Sequence, residues 1–219
     1  VEASYPSESG KSIDLEKIEG TRRMEKVDAV SPVAEFLGEI SIADHPRGII
    51  PIMRVVRSSY FRLAGVSPNI GEAFTEDAPG AVISSKALQL FGLTPDKSIL
   101  GKELTGSVYY PTRDNTTESI NISTIKIRGI ITDDREDPIV YIPYSSVGAE
   151  PTSFKSMFIK AKNIDFVEPL RDSLSKEGFL ISAKVDLVNQ AKKITNALTI
   201  VLMVFGVAAL IVSAIGMFN

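Results

Sequence analysis

The stretch that comes nearest to a chemical motif is Ser9-Gly10-Lys11-Ser12, which matches the last residues of a phosphate-binding loop. Such a loop holds phosphates with backbone N–H groups and a lysine, and its pattern requires a glycine five residues before Gly10. That position is Tyr5. We therefore interpret the stretch as a solvated loop before a helix cap, and we predict no ATP site and no other bound cofactor.

The remaining candidates for catalysis or metal binding are isolated. His45 is the only histidine and the chain has no cysteine, so a zinc site or a serine–histidine–aspartate site would depend on His45 alone. A surface turn before Pro46 is the favoured interpretation. The acidic run Asp133-Asp134-Arg135-Glu136-Asp137 lacks the glycine of a calcium loop and contains an arginine, so a solvated turn is expected there. The sequence predicts no catalytic residue and no metal site.

The elements that would position these residues form a strand–helix–strand pattern at each end of the polar part of the chain. The first unit is predicted as a strand at Val1–Tyr5, a helix from Ser12 to about Lys26, and an extended segment Val27–Ala34 interrupted by Pro32. The second is predicted as a strand at Ser156–Ala161, a helix capped by Asp165 and ended by Gly178, and a strand at Phe179–Val185. We expect the two units to pack side by side.

The segment between these units has a different texture, with glycine and proline separating short apolar runs. Thr105–Thr124 is polar and predicts a hairpin with a long loop, whereas Ile125–Ile131 alternates with period two and predicts a strand. The predicted fold class is α+β with two lobes. We expect residues 1–58 and 150–190 to form one βαβ lobe, residues 59–149 to form an inserted β-rich lobe, and residues 191–219 to form a transmembrane helix.

The last stretch, Ile194–Asn219, contains no charged residue. A helix from about Ala197 to Phe218 would extend roughly 33 Å at about 1.5 Å per residue, enough to cross a hydrocarbon core of about 30 Å. The alternative is a buried core helix. Small residues recur at helical spacing and predict a face on which another membrane helix packs closely: Gly206, Ala209, Ser213 and Gly216.

Composition narrows the function classes and the setting of the chain. The formal net charge is −3 over 219 residues, which gives no support to a nucleic-acid partner. The start of the chain is not a signal peptide, and the sequence is expected to be a piece of a larger membrane protein. Lys192-Lys193 before the apolar stretch favours a cytoplasmic placement of the preceding residues, although two charges are a weak signal.

Several segments, in their order along nearly the whole chain, resemble the landmarks of MacB-like permeases. The segment Gly71–Asp77 is similar to a "G-R-x-F-T-x-x-D" pattern, with Glu72 in place of the usual arginine. The other landmarks are Val27-Asp28-Ala29-Val30-Ser31-Pro32, Tyr60-Phe61, Ala81-Val82-Ile83-Ser84, Leu90-Phe91-Gly92, Leu100-Gly101-Lys102-Glu103-Leu104, Ile127-Arg128-Gly129-Ile130, Val140-Tyr141-Ile142-Pro143 and Ile215-Gly216-Met217-Phe218-Asn219.

The resemblance implies the extracytoplasmic domain of an FtsX/MacB-type ABC transporter permease in a cell membrane, with the βαβ lobe as its membrane-proximal lobe. For the side of the membrane on which the domain lies, the resemblance outweighs the signal of Lys192-Lys193. It implies a non-catalytic part that couples ATP-driven motion to export or release of a substrate. The implied partners are an ABC ATPase, a second permease copy or homologue, the lipid bilayer, and an extracytoplasmic adaptor or cargo. A membrane-anchored binding or adhesion module is the alternative, and an anchored hydrolase is disfavoured by the lone histidine and the missing cysteine.

Overall fold

The computed structural model describes residues 1–111, 117–132, 137–148, 150–182, 195, 198–207 and 209. The strands are β1 (Glu2–Ser4), β2 (Ile13–Asp14), β3 (Val27–Ile42), β4 (His45–Ile49), β5 (Ile52–Val56), β6 (Ile70–Gly71), β7 (Ala81–Ser84), β8 (Glu103–Pro111), β9 (Thr117–Ile131), β10 (Ile139–Pro143), β11 (Ser153–Phe154), β12 (Ser156–Ala161) and β13 (Leu180–Ser182). The helices are α1 (Leu15–Arg22), α2 (Ser59–Ala64), α3 (Ser85–Leu90) and α4 (Val167–Lys176).

Eleven of these strands form one mixed sheet, which confirms an architecture that combines helices and strands. The strand order along the main path is β13-β1-β12-β3-β5-β10-β7-β9-β6, with β4 and β8 paired to the long strand β3. The strands β2 and β11 form a separate antiparallel pair. The chain as a whole divides into two compact units, Val1–Ile181 and Ser182–Asn219, which are distinct from the two strand–helix–strand units.

The two strand–helix–strand units do lie side by side, as the sequence predicts. The strand β12 of the second unit pairs antiparallel with both β1 and β3 of the first. The resulting order, β13-β1-β12-β3, is that of a split βαβ arrangement, in which each helix connects two strands that are not neighbours. The chain between β3 and β12 therefore interrupts a four-stranded unit made from the two ends of the domain.

The first helix is shorter than predicted at both ends. It begins at Leu15, where the Asp14 side chain caps the helix by accepting a hydrogen bond of 2.8 Å from the Lys17 backbone N–H, whereas the predicted start, Ser12, precedes β2. It ends at Arg22 rather than Lys26. The helix of the second strand–helix–strand unit, α4, likewise begins later than predicted. Asn163 caps a 3₁₀ turn at Ile164–Phe166, and the α-helix follows it.

The predicted interruption at Pro32 is wrong, since β3 runs without a break from Val27 to Ile42. The carbonyl of Val33 accepts a hydrogen bond from Lys155 N–H on the β12 side of the strand. Alternation along the backbone therefore turns the Pro32 nitrogen toward the other side, where pairing with β5 begins only at Val33. The missing N–H of proline falls where the sheet requires no donor.

The two faces of the sheet carry separate hydrophobic clusters. Along β10, Val140 and Ile142 belong to one cluster while Ile139 and Tyr141 belong to the other. The first cluster is covered by α1, α3 and α4, through buried residues such as Ile18 and Leu174. The second is covered by α2 and contains Val33, Val56, Tyr60, Phe61, Ala64, Phe74, Val82, Ile131, Ile139 and Tyr141. Alternate residues of β10 therefore contribute to opposite hydrophobic clusters, each covered by its own helical layer.

The polar stretch at 105–124 forms the predicted hairpin, but its predicted long loop is wrong. Pairing between β8 and β9 continues from Glu103 opposite Lys126 to Pro111 opposite Thr117. Only residues 112–116 at the tip lie outside the described residues. The strand predicted at Ile125–Ile131 is the second half of β9.

The predicted division into a lobe of residues 59–149 and a lobe of the chain ends remains a prediction. Its proposed boundary is crossed by strand pairs, because β10 pairs with β5 and β8 pairs with β3.

Candidate functional site

The Gly-Lys-Ser stretch lies on an exposed loop that does not lead directly into a helix. A 3₁₀ turn at Ser7–Ser9 ends at Gly10, whose φ is 60°, and β2 separates Ser12 from the start of α1. The Lys11 ammonium lies over the Tyr5 ring, 6.0 Å from its centroid. A phosphate-binding loop needs its lysine at the first turn of a helix, and Lys11 does not occupy that position.

His45 and Asp44 lie at the turn between β3 and β4. Asp44 has a φ of 69°, the left-handed conformation that completes this turn, and its carboxylate is 3.6 Å from Lys102 Nζ. His45 opens β4 opposite Ile42. The predicted surface turn is confirmed, and neither residue is placed beside a serine nucleophile by the contacts of the described chain.

The acidic run at 133–136 lies outside the described residues, and Asp137 alone of that run is described. Within the ranges that the structure describes, no group of three or more histidine, cysteine, aspartate or glutamate residues could hold a metal ion.

The predicted helix-packing face is described at two of its four positions. Gly206 and Ala209 are helical, as are residues 198–207 generally. Ser213 and Gly216 lie outside the described residues. No helix of the described residues has the length and apolarity needed to cross a membrane. The packing face and the membrane span therefore remain predictions.

The structure brings the two ends of the compact unit Val1–Ile181 to one end of the sheet. Tyr5, just after β1, stacks on Phe179, just before β13, with ring centroids 4.4 Å apart. Since β1 and β13 are neighbours in the sheet, this contact joins the end of one to the start of the other, and the two strands run in opposite directions. Consequently β1 begins and β13 ends at the same end of the sheet. We call this end, which also holds Val27 and Ala161 at the limits of β3 and β12, the terminal edge.

A polar ladder that the sequence analysis missed crosses three central strands. Arg54 on β5 is the register partner of Glu35 on β3 and of Tyr141 on β10. Its Nε donates to Glu35 Oε2 at 3.1 Å and its Nη1 to the Tyr141 hydroxyl at 3.3 Å. Burial opposes the charge, but the oxygens of Tyr141, Tyr60 and Glu35 raise the pKa of Arg54 above its usual range. The sequence did contain a signal for this ladder: Glu35 and Arg54 are charged residues within otherwise apolar segments that form adjacent strands.

A second polar pair contains the residue that departs from the family pattern. Glu72, which stands where the pattern has arginine, forms an ion pair with Arg128 on β9.

The same region holds two glycines that are register partners, Gly71 and Gly129. A Cβ at Gly129 would lie 2.5 Å from the Glu72 carbonyl oxygen and 2.8 Å from Pro68 Cγ, so the backbones of β6 and β9 approach too closely for a side chain.

Comparison with known proteins identifies a family and two solved structures of similar fold. The family described as MacB-like periplasmic core domain matches residues 2–177. The periplasmic region of MacB from Actinobacillus actinomycetemcomitans is similar in structure, with a TM-score of 0.55 and 15% identity over 88% of this chain and 91% of that one. The extracellular domain of the noncanonical ABC-type transporter YknZ from Gram-positive bacteria has a TM-score of 0.54 and 16% identity over 78% of this chain and 87% of that one. No curated protein sequence matches the chain.

These structural likenesses concern the fold, whereas the family match covers most of the sequence and carries the assignment. The chain belongs to the MacB-like periplasmic core domain family and is an extracytoplasmic domain of the MacB/FtsX type of ABC transporter permease.

Proposed function

We propose that this chain couples ATP-driven motion across a membrane to the export or release of a substrate, as the mechanical extracytoplasmic part of a permease. The observation that carries the proposal is the position of both ends of the compact unit Val1–Ile181 at the terminal edge, through the neighbouring antiparallel strands β1 and β13. A domain held at both ends from one side can be moved as a body by membrane segments attached there.

The split βαβ arrangement supports transmission of such motion. The strands nearest the chain ends are bonded to each other and, through β12, to the long strand β3. Because β3 spans Val27–Ile42 and pairs in turn with β12, β5 and β8, a displacement of the terminal edge would reach the far part of the sheet through continuous backbone hydrogen bonds. Packed cores and sheets move as rigid elements rather than deform continuously.

The proposal includes the partners that a permease of this kind requires. ATP hydrolysis would take place in a separate or fused ABC ATPase, and a second permease copy or homologue would complete the membrane part. Residues 191–219 would anchor the domain in the cell membrane, with Gly206, Ala209, Ser213 and Gly216 facing a neighbouring membrane helix. An extracytoplasmic adaptor or cargo would contact the domain, which itself would be non-catalytic.

The test interrupts a continuous helix that we propose runs from Asp186 to Phe218, after β13 in the sequence. In the full permease with its ATPase, replacing Gln190-Ala191 by Gly-Pro should abolish transport or release while ATP hydrolysis continues. The physical reason is that proline removes a helix hydrogen bond and costs roughly 3 kcal/mol in a helix interior, so the break would absorb displacement. The matched control is Gln190→Ala, which retains the helix and should retain function. Wild-type transport in the Gly-Pro variant would reject the mechanical role and favour a binding or adhesion module.

A further inference from the structure

The terminal edge carries a basic groove. It has a volume of about 480 Å³, and its charged side chains are Arg62 on α2 together with Lys160 and Lys162 at the end of β12. No carboxylate is among the described residues that line it. The groove thus concentrates positive charge at the end of the sheet that holds both ends of the compact unit Val1–Ile181.

One of the three cations is neutralised by a neighbour outside the groove. Lys160 Nζ donates to Asp28 Oδ2 at 2.6 Å, and this hydrogen bond, helped by Arg62 and Lys162, lowers the pKa of Asp28 below its usual range. Arg62 and Lys162 are exposed, and neither has an ion pair with a described residue. Two cations therefore face solvent with their charge available.

Exposed apolar side chains follow Lys162 in the chain, and one of them lines the groove. The 3₁₀ turn Ile164–Phe166 follows Lys162, and the side chains of Ile164 and Phe166 are 64% and 36% exposed. Single exposed apolar residues are common, but Ile164 lines the same groove as Arg62 and Lys162. Phe166 ends the same turn, with the exposed Asp165 between the two apolar residues. Cations beside apolar side chains are the combination that binds the boundary between lipid headgroups and acyl chains.

We propose that the terminal edge binds anionic lipid headgroups through Arg62 and Lys162, with Ile164 and Phe166 at the acyl boundary. This rests on the proposed function, which attaches the domain to a membrane. Lipid is the occupant because both ends of the compact unit Val1–Ile181 lie at this edge and the uncharged run after Lys193 follows in the sequence. An acidic protein would match the cations but not the exposed Ile164 and Phe166.

The strength of the contact follows from the number of free cations. A basic residue near an anionic membrane surface contributes about 1 kcal/mol, which is a factor of about five in the bound-to-free ratio. Removing both Arg62 and Lys162 should lower the preference for anionic over neutral bilayers by more than tenfold, because the two factors multiply. High salt should weaken the same preference.

The absence of cysteine from the sequence allows a single-label test on the full chain in vesicles. Ile164→Cys carries a bimane fluorophore, and spin-labelled phosphatidylcholine headgroups act as the quencher. The matched site is Leu90→Cys on α3, where the side chain is 48% exposed. Quenching at position 164 should exceed that at position 90, and it should increase when phosphatidylglycerol is added to phosphatidylcholine vesicles.

Charge variants identify the groups responsible. In the Ile164→Cys background, Arg62→Gln with Lys162→Gln should remove the increase caused by phosphatidylglycerol. Lys97→Gln with Lys126→Gln, two exposed cations on other elements, should leave it unchanged. Circular dichroism verifies the fold of each variant, and the comparison of the two label sites does not depend on the charge variants.

Equal quenching at the two sites, or no response to phosphatidylglycerol, would overturn the lipid contact. That outcome leaves the proposed function standing if Gly-Pro at Gln190-Ala191 still uncouples transport. Conversely, lipid contact with wild-type transport in the Gly-Pro variant would reject the mechanical role and keep the lipid contact.

Discussion

Gly71→Ala is predicted to destabilise the domain far more than Gly92→Ala. Both glycines have a φ of 75°, so an alanine experiences the same left-handed strain at either position. Their surroundings differ. A Cβ at Gly71 would overlap the Arg128 carbonyl oxygen and lie 2.9 Å from Leu100 Cδ2, whereas nothing lies within 4 Å of a Cβ at Gly92.

The expected magnitudes separate the two causes. Left-handed backbone costs a residue with a Cβ about 1–2 kcal/mol, and this should be the whole loss at Gly92. Forcing a methyl group against packed backbone adds about 1–3 kcal/mol, so Gly71→Ala should lose roughly 2–5 kcal/mol in total. The difference between the variants measures the close approach of β6 to β9, which the Gly71–Gly129 register pair creates.

The assay is urea unfolding of the full chain in mild detergent, followed by far-ultraviolet circular dichroism. The free energy of unfolding of each variant is compared with wild type at an unchanged denaturant slope, so that the difference reports stability. Equal losses for Gly71→Ala and Gly92→Ala would refute the reasoning, because the strands would then not pack as closely as the register requires.

Three further predictions use the same unfolding measurement. Leu174→Ala, on α4 and fully buried, should cost about 2–5 kcal/mol, while Leu180→Ala, 57% exposed, should change stability by under about 0.5 kcal/mol; similar losses would contradict the described packing of α4. The lowered pKa of Asp28 means that its ion pair stabilises the fold above the ordinary pKa of 3.8 and that this contribution is lost as the pH falls through the lower folded value. Asp28→Asn should therefore remove part of the acid sensitivity of wild type, and an unchanged pH profile would contradict the pairing. Deleting residues 59–149 and bridging the ends should leave a folded lobe by circular dichroism, and an unfolded remainder would reject the predicted two-lobe division.

The sequence predicted the elements at the two ends of the chain because their patterns are local. Strand–helix–strand signals identified β1, α1, β3, β12 and α4, and their side-by-side packing followed from the repetition. Exact helix limits were wrong where two capping residues compete within a few positions, as Ser12 and Asp14 do. Which of the two residues caps the helix depends on the geometry of its hydrogen bond to the first turn, and residue type alone does not reveal that geometry.

Long-range features could not be predicted in the same way. The continuation of β3 through Pro32 depends on which side of the strand is unpaired at that residue, and the neighbours that settle this, β5 and β12, are distant in sequence. The Glu35–Arg54–Tyr141 ladder likewise depends on register between three strands. Glu72 at the position of a usual arginine became interpretable only when its partner Arg128 was known.

The most direct test of the central claim is a distance measurement on the assembled permease with its ATPase. Leu37→Cys, whose side chain is 58% exposed, provides a single spin-label site on each copy of the domain, since the sequence has no other cysteine. Pulsed electron paramagnetic resonance then compares the distance between the two copies without nucleotide, with trapped ATP and after hydrolysis. Transmission of motion predicts a distance distribution that changes with nucleotide state. An identical distribution in all three states, while ATP is being hydrolysed and substrate is being moved, would contradict it.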